Sequence, residues 1–304
     1  MNQLDHREFL ILEGEAISRR SDEYSERFGA DWSQVDQILG RTTTTQPDGV
    51  RRYGFPRSDL TVTSRGIALK AEFALGGYAS FTLSGSMDAA MVMGDLVLTE
   101  DEINPVMIAL QEGGVETTAI HNHLLFETPR IMYLHFKGEG DPAEVAEVLY
   151  TALSTTNTPL VVPTANATSP ALPFNTTALD SIMGYPGKNN AGVYQYNIGR
   201  AEAIMDGDTA LYTRMGTATI INFQPVGDTT AAVTGDFSLI ATEVPLVLRA
   251  LSENGIQVNA LHSHMLTDSP RLFYVHFWGV DDATVLARGL REPVSLTNSA
   301  RPGV

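Results

Sequence analysis

The chain reads AIHNHLLFETPRIMYLHF at residues 119–136 and ALHSHMLTDSPRLFYVHF at residues 260–277. These near-copies sit inside a longer duplication. Residues 94–141 and 235–282 align without a gap at an offset of 141, with 20 identities in 48 positions. Upstream, YGFPRSD (53–59) matches YNIGRAE (196–202) at an offset of 143, and VDQILG (35–40) matches LDSIMG (179–184) at 144. The drift in offset marks short loop insertions and deletions. A repeat this long is a whole folding unit, so the chain is expected to build one fold twice. The first unit spans 31–155 and the second 176–304. Between them, 156–175 is rich in Ser, Thr and Pro and reads as an exposed connection. Residues 1–30 have no counterpart and read as an N-terminal helical extension.

Each unit shows the same succession of elements. YASFTLSG and AMVMGDLVL read as strands, as do TATIINFQPV and AAVTGDFSLI. TEDEINPVMIALQEGG is an amphipathic helix with acids at its start and glycine at its end. A histidine-bearing strand, a turn, another strand and a closing helix follow. The order β-β-α-β-β-α predicts an α+β fold: two antiparallel sheets, each with helices on one face, packed about a pseudo-twofold axis.

Six of the seven histidines fall in the duplicated stretches. Strand alternation puts His121 and His123 on one face. An odd turn of five residues would place His135 opposite His121 and Tyr133 opposite His123, on the same face. Met132, Leu134 and Phe136 would then line a core face with Ile120 and Leu124. In the second unit, His262, His264 and His276 converge in the same way, with Tyr274 beside them and Phe273, Val275, Phe277, Leu261 and Met265 behind.

Three close imidazoles cannot all carry charge, and neutral imidazole is a common metal ligand. A carboxylate follows at fixed spacing, Glu127 in one unit and Asp268 in the other. His-x-His-x3-Glu/Asp resembles the first metal motif of cupins, as local chemistry only. The ligand types suit a divalent ion, zinc first, with iron, manganese, nickel or copper as alternatives. The competing reading is a duplicated hydrogen-bond network, or histidine acid–base chemistry without metal.

Other shared residues carry two readings each. Arg130, Arg271, Arg57 and Arg200 suit a substrate carboxylate or phosphate, or else salt bridges to nearby acids. Tyr133 and Tyr274 are candidate proton donors or packing partners of the imidazoles. Asp95 and Asp236 cap a turn or hydrogen-bond a histidine.

A net charge of −16 disfavours nucleic acid and anionic membranes as partners. Without cysteine there are no disulfides, thiolate ligands or thiol nucleophiles. The sequence shows neither a leader nor a membrane span, which reads as a cytoplasmic protein, although a secreted form freed of its leader fits equally.

The segments GDLVLTEDEINPVMIALQEGGVETTAIHNHLLFETPRIMYLHFKGEGDP and GDFSLIATEVPLVLRALSENGIQVNALHSHMLTDSPRLFYVHFWG resemble the LppY/LpqO family, domain of unknown function 1259. The resemblance covers about 35–300, and it implies a duplicated H-[NS]-H…PR…H pattern without implying an activity. Its named members look like exported lipoproteins; this chain lacks their anchoring cysteine.

The expectation is a metal-dependent enzyme, hydrolytic by preference, on a small polar or anionic substrate. His121, His123, His135, His262, His264 and His276 would hold metal in two equivalent sites, with Glu127 and Asp268 as ligand or base. The alternatives are lyase, isomerase or oxygenase chemistry, or a non-catalytic metal- or ligand-binding protein. A homodimer is compatible with the sequence.

Overall fold

The computed structural model describes residues 32–84, 89–160 and 169–301. The N-terminal extension and part of the connection therefore lie outside the described residues.

The first unit begins with α1 (Trp32–Ile38), β1 (Arg51–Pro56), β2 (Thr63–Ser64), β3 (Ile67–Ala68) and the short α2 (Ala71–Ala74). It continues through β4 (Gly76–Leu83), β5 (Ala90–Thr99), α3 (Ile103–Glu112), β6 (Glu116–His121), β7 (Glu127–Thr128), β8 (Ile131–Gly140) and α4 (Pro142–Leu153). The second unit opens with α5 (Thr176–Met183), β9 (Lys188–Asn190), β10 (Val193–Ile198), β11 (Ile204–Asp206) and β12 (Thr209–Leu211). Then come β13 (Thr219–Pro225), β14 (Thr230–Ile240), α6 (Val244–Glu253), β15 (Gln257–His262), β16 (Asp268–Ser269), β17 (Leu272–Asp282) and α7 (Ala283–Ser295).

The main sheets are antiparallel, in the order β1-β4-β5-β8-β6 and β15-β17-β14-β13-β10-β9. The first has one strand, β1, beyond the β-β-α-β-β-α reading, and the second has two, β10 and β9. Small sheets, β3-β2-β7 and β12-β11-β16, repeat a further detail in both units.

The two faces of each sheet do different work. Along β5, Val92, Leu96 and Leu98 pack beneath the helices with Leu134, Phe136 and Leu149. The alternate residues Met91, Met93 and Val97 face the other way. There they meet the second unit: Met91 and Met93 join Ile204, Met215 and Tyr274, while Val97, Phe73 and Tyr133 join Ala232 and Trp278. The layers therefore run helices, sheet, sheet, helices. Burial on both faces is why β5 reads as one apolar run in the sequence.

Several details of register depart from expectation. His121 pairs with Tyr133, and Ala119 with His135, a shift of two residues that keeps the expected parity. A bulge between Thr117 and Ala119 recurs between Val258 and Ala260. Ile120 and Leu261, expected in the core, are 41% and 50% exposed, because they lie on edge strands. Leu124 and Met265 are buried, but in the clusters between the units. The acids before α3 precede the helix; Glu102 occupies its N-cap position. Among the described residues, no helix is long and apolar enough to cross a membrane.

Candidate functional site

The inner sheet faces carry the histidines, and these faces meet. The six imidazoles therefore form one cluster across the pseudo-twofold axis, replacing the two separate triads expected from the sequence. Ring centroids of His121 and His262 lie 3.7 Å apart, those of His123 and His276 3.8 Å, and those of His135 and His264 3.8 Å. The last two pairs are equivalents across the duplication, so the halves meet with nearly equal geometry.

Glycines make the close approach possible. A Cβ at Gly94 or Gly235 would run into the carbonyl of Tyr78 or Ile220 on the neighbouring strand. Beside them in sequence, Asp95 and Asp236 point to the imidazoles. Asp95 lies opposite His135 in register and Asp236 opposite His276. Asp95 Oδ2 is 3.6 Å from His123 Nε2, and Asp236 Oδ2 is 3.2 Å from His264 Nε2. Asp236 comes within hydrogen-bonding distance of a histidine, Asp95 lies beside two without bonding either, and turn capping fails for both, since they sit in mid-strand.

Three sets of donor atoms lie within 4.8 Å of one another. They are His121, His135, His262 and His264; Asp236, His262, His264 and His276; and His121, His123 and His276. Any two sets share a histidine, so they describe one centre. The backbone prepares it. Nδ1 of His121, His264 and His276 lies 3.2, 3.3 and 2.8 Å from the carbonyls of Asn122, Gly216 and Gly235. Such a contact fixes a ring's orientation and, with Nδ1 protonated, leaves Nε2 bare. His121 Nε2, His135 Nε2, His262 Nδ1 and His276 Nε2 are buried without a hydrogen-bond partner. His262 Nε2 and His264 Nε2 lie 3.0 Å apart, close to the roughly 3.3 Å between two nitrogens on a tetrahedral zinc.

The cluster is held neutral. Burial pulls His121 and His264 down to about 3 and His276 to about 4, and lowers His123, His135 and His262 as well, with neighbouring imidazoles adding to the effect for all but His264. Burial, and then Asp236, push Asp95 well above the ordinary carboxyl range; burial raises Asp236 to about 6.

Tyr133 and Tyr274 lie on the histidine face as expected, stacked on His123 and His264 at 3.2 and 3.4 Å between centroids. Tyr133 Oη donates to the Ala74 carbonyl at 2.6 Å. A cavity of about 530 Å³ adjoins the cluster, reaching His123, His135, His264 and His276 as well as Asp95 and Asp236. Its lining also includes Arg52, Tyr78, Arg214 and Asn222.

Six sequence candidates stand elsewhere. Glu127 and Asp268 join none of the donor sets and do not line the cavity. Asp268 accepts from the Leu272 amide at 2.6 Å and from Arg271 at 3.2 Å. Arg57 and Arg200 are committed to ion pairs with Asp59 and Glu102, and with Glu202 and Glu243. Arg130 is exposed beside Glu100, and Arg271 is spent on Asp268. None of the four arginines lines the cavity, and each lies beside an acid.

Glu127 still has a measurable consequence. Burial raises its carboxyl from the ordinary 4.5 to about 8, against the pull of Arg130, and its Oε2 has no partner. The folded chain keeps this proton while the unfolded chain loses it. Stability from this residue is thus full below pH 4.5 and is lost as pH rises towards 8. Glu127→Gln is expected to gain stability over wild type progressively across that interval. Denaturant melts at pH 5 and pH 8 that show the same difference between the two proteins would contradict this.

Residues 33–155 and 177–295 each match the family described as Domain of Unknown Function (DUF1259). The chain belongs to this family. Its domain occurs twice, and the two matched segments are the two structural units. No curated protein matches the chain. Among solved structures, the DUF1259 chain is similar to the trimeric bacterial microcompartment shell protein PduB, at 12% identity and a TM-score of 0.21, covering 84% of this chain and 90% of that one. A double-ringed trimeric shell protein from the RMM microcompartment gives 11% identity and a TM-score of 0.18, with 70% and 86% covered.

Proposed function

We propose that the chain is a metal-dependent enzyme, hydrolytic by preference, whose divalent ion is held in the centre shared by the two units. Zinc fits best, since the donors are imidazole nitrogens with one carboxylate. The observation that carries this reading is the set of four buried imidazole nitrogens without partners, in a cluster where three further ring nitrogens face carbonyls. Leaving buried polar atoms unpaired costs about 1–3 kcal/mol each. A bound ion would relieve that cost and would supply Lewis acidity towards a substrate oxygen or water.

The chain's own residues do the rest. Asp236 is the carboxylate among the donors, while Asp95, outside every donor set and with a buried unpartnered Oδ1, lines the cavity where a general base is required. They take the role that spacing assigned to Glu127 and Asp268. Tyr133 and Tyr274 hold the His123 and His264 rings by stacking. The cavity meets four of the six histidines, which favours turnover over storage.

Elemental analysis of the chain purified without chelator, followed by hydrolysis assays on ester, lactone and phosphoester panels, tests the reading. Bound metal is expected, with turnover that chelator abolishes and the same ion restores. Failure to retain any divalent ion after reconstitution would overturn the proposal. Metal without turnover on any panel would leave a binding protein.

A further inference from the structure

The histidine centre is nearly symmetric, but the cavity beside it is not. Asp95 and Asp236 are identical across the duplication, and so are all three histidine pairs. The neighbouring strand positions that line the cavity have diverged. Arg52 of β1 corresponds to Gln195 of β10. Opposite Asp95 stands Tyr78, and opposite Asp236 stands Ile220. Ser80 pairs with Arg52 and Asn222 with Gln195, so Asn222 replaces a serine. Where the first unit brings Arg52 and Tyr78 to the wall of the cavity, the second brings Gln195 and Ile220, an asymmetry that suits an asymmetric ligand.

That wall is cationic in an acidic protein. Outside the histidine centre its charged residues are Arg52, Arg214 and Glu72. The Arg52 guanidinium lies 3.4 Å over the Tyr78 ring and donates through Nη1 to the Arg214 carbonyl at 2.5 Å. No carboxylate pairs with Arg52 among the described residues. Arg214 has Asp48 at 3.5 Å, but its side chain is 43% exposed, and such surface pairs are weak. Asp95 and Glu72 also line the cavity, and Asp95 acts on Arg52 through space without forming an ion pair, so the two guanidiniums keep donors free for an oxyanion.

A second observation points to a ligand. Asn222 is only 8% exposed, and its Nδ2 donates to the Phe73 carbonyl at 2.9 Å. That bond fixes the amide orientation and leaves Oδ1 buried, on the cavity lining, without a donor. A ligand hydroxyl would satisfy it.

We infer that the cavity binds a small hydroxylated oxyanion, its anionic group on Arg52 and Arg214 and a hydroxyl donated to Asn222 Oδ1. This deepens the enzyme reading above, since the ligand's remaining oxygens would face the histidine centre. A cavity of about 530 Å³ accommodates a ligand of roughly sugar-acid size.

Calorimetric titration of the full chain, metal-free and zinc-loaded, with D-gluconate, inorganic phosphate and glucose tests the assignment. Gluconate and phosphate are expected to bind the metal-free protein, and glucose is not. Arg52→Gln installs the residue the other unit already carries, and is expected to weaken both anions about tenfold or more. Asn222→Ser, likewise the residue of the other unit, is expected to weaken gluconate and spare phosphate. Neither anion binding in either form, or unchanged affinity in a folded Arg52→Gln protein, would overturn the inference. Metal uptake without anion binding would sink this inference alone. Anion binding to a protein that never takes up metal would sink the enzyme reading alone.

Discussion

Replacing His262 and His276 together by alanine is expected to cost the protein most of its bound metal, although every histidine of the first unit remains. The reason is the overlap of the donor sets. His262 belongs to two of them and His276 to two, and between them they touch all three. The corresponding change in the first unit, His121→Ala with His135→Ala, leaves Asp236, His262, His264 and His276 intact, and that protein is expected to retain metal. Two independent sites would behave otherwise: each double variant would lose half of the metal and keep half. Metal-to-protein ratios for the two variants, compared with wild type after identical reconstitution, decide the matter. Circular dichroism of each variant guards against simple unfolding. Half-occupancy in both variants would refute the shared centre. The expected loss is large because imidazoles are the dominant donors: the set with Asp236 is halved, and the other set of four is cut to three.

Much of this arrangement was legible in the sequence, and the limits are physical. The duplication marked the units, and the segments that became β5 and β14 read as strands. Identity between halves picked out the histidines, the stacked tyrosines and the paired aspartates, because symmetry about the contact conserves what sits on the axis. Which residues meet across that axis depends on how the sheets pack, and spacing within one unit is silent on it. Hence Glu127, close to His123 in sequence, stands apart, while Asp95, which is distant in sequence, lies 3.6 Å from His123. Matching the halves position by position also hid the cavity wall, since Arg52 and Gln195 differ. A search for exchanges of charge between the copies would have found it. It would also have found Lys137, which pairs with Asp206 of the other unit at 3.1 Å where its counterpart Trp278 packs on Phe73.

Arg57→Ala is expected to lower folding stability by about 3–5 kcal/mol, the usual result of removing one partner from a buried ion pair. The Arg57 side chain is 1% exposed and Glu102 9%. Nη1 donates to Glu102 Oε2 at 2.6 Å and to the Val97 carbonyl at 2.8 Å, while Nε meets Asp59 at 2.9 Å. Glu102 in turn accepts from the amides of Thr99 and Asn157. One guanidinium thus ties the segment after β1, the end of β5, the start of α3 and the chain beyond α4. Burial works against both charges, yet their hydrogen bonds outweigh it, raising Arg57 and lowering Glu102. Removing the arginine leaves Glu102 charged, buried and unpaired. If that stranded carboxylate causes most of the loss, Arg57→Ala with Glu102→Gln is expected to be more stable than Arg57→Ala alone. Urea melts of the single and double variants measure it, and a double variant weaker by the sum of both changes would show that packing around the guanidinium, not charge, sets the cost. The same network recurs through Arg200, Glu202, Glu243 and Asn298, so Arg200→Ala is expected to match Arg57→Ala within a factor of about two.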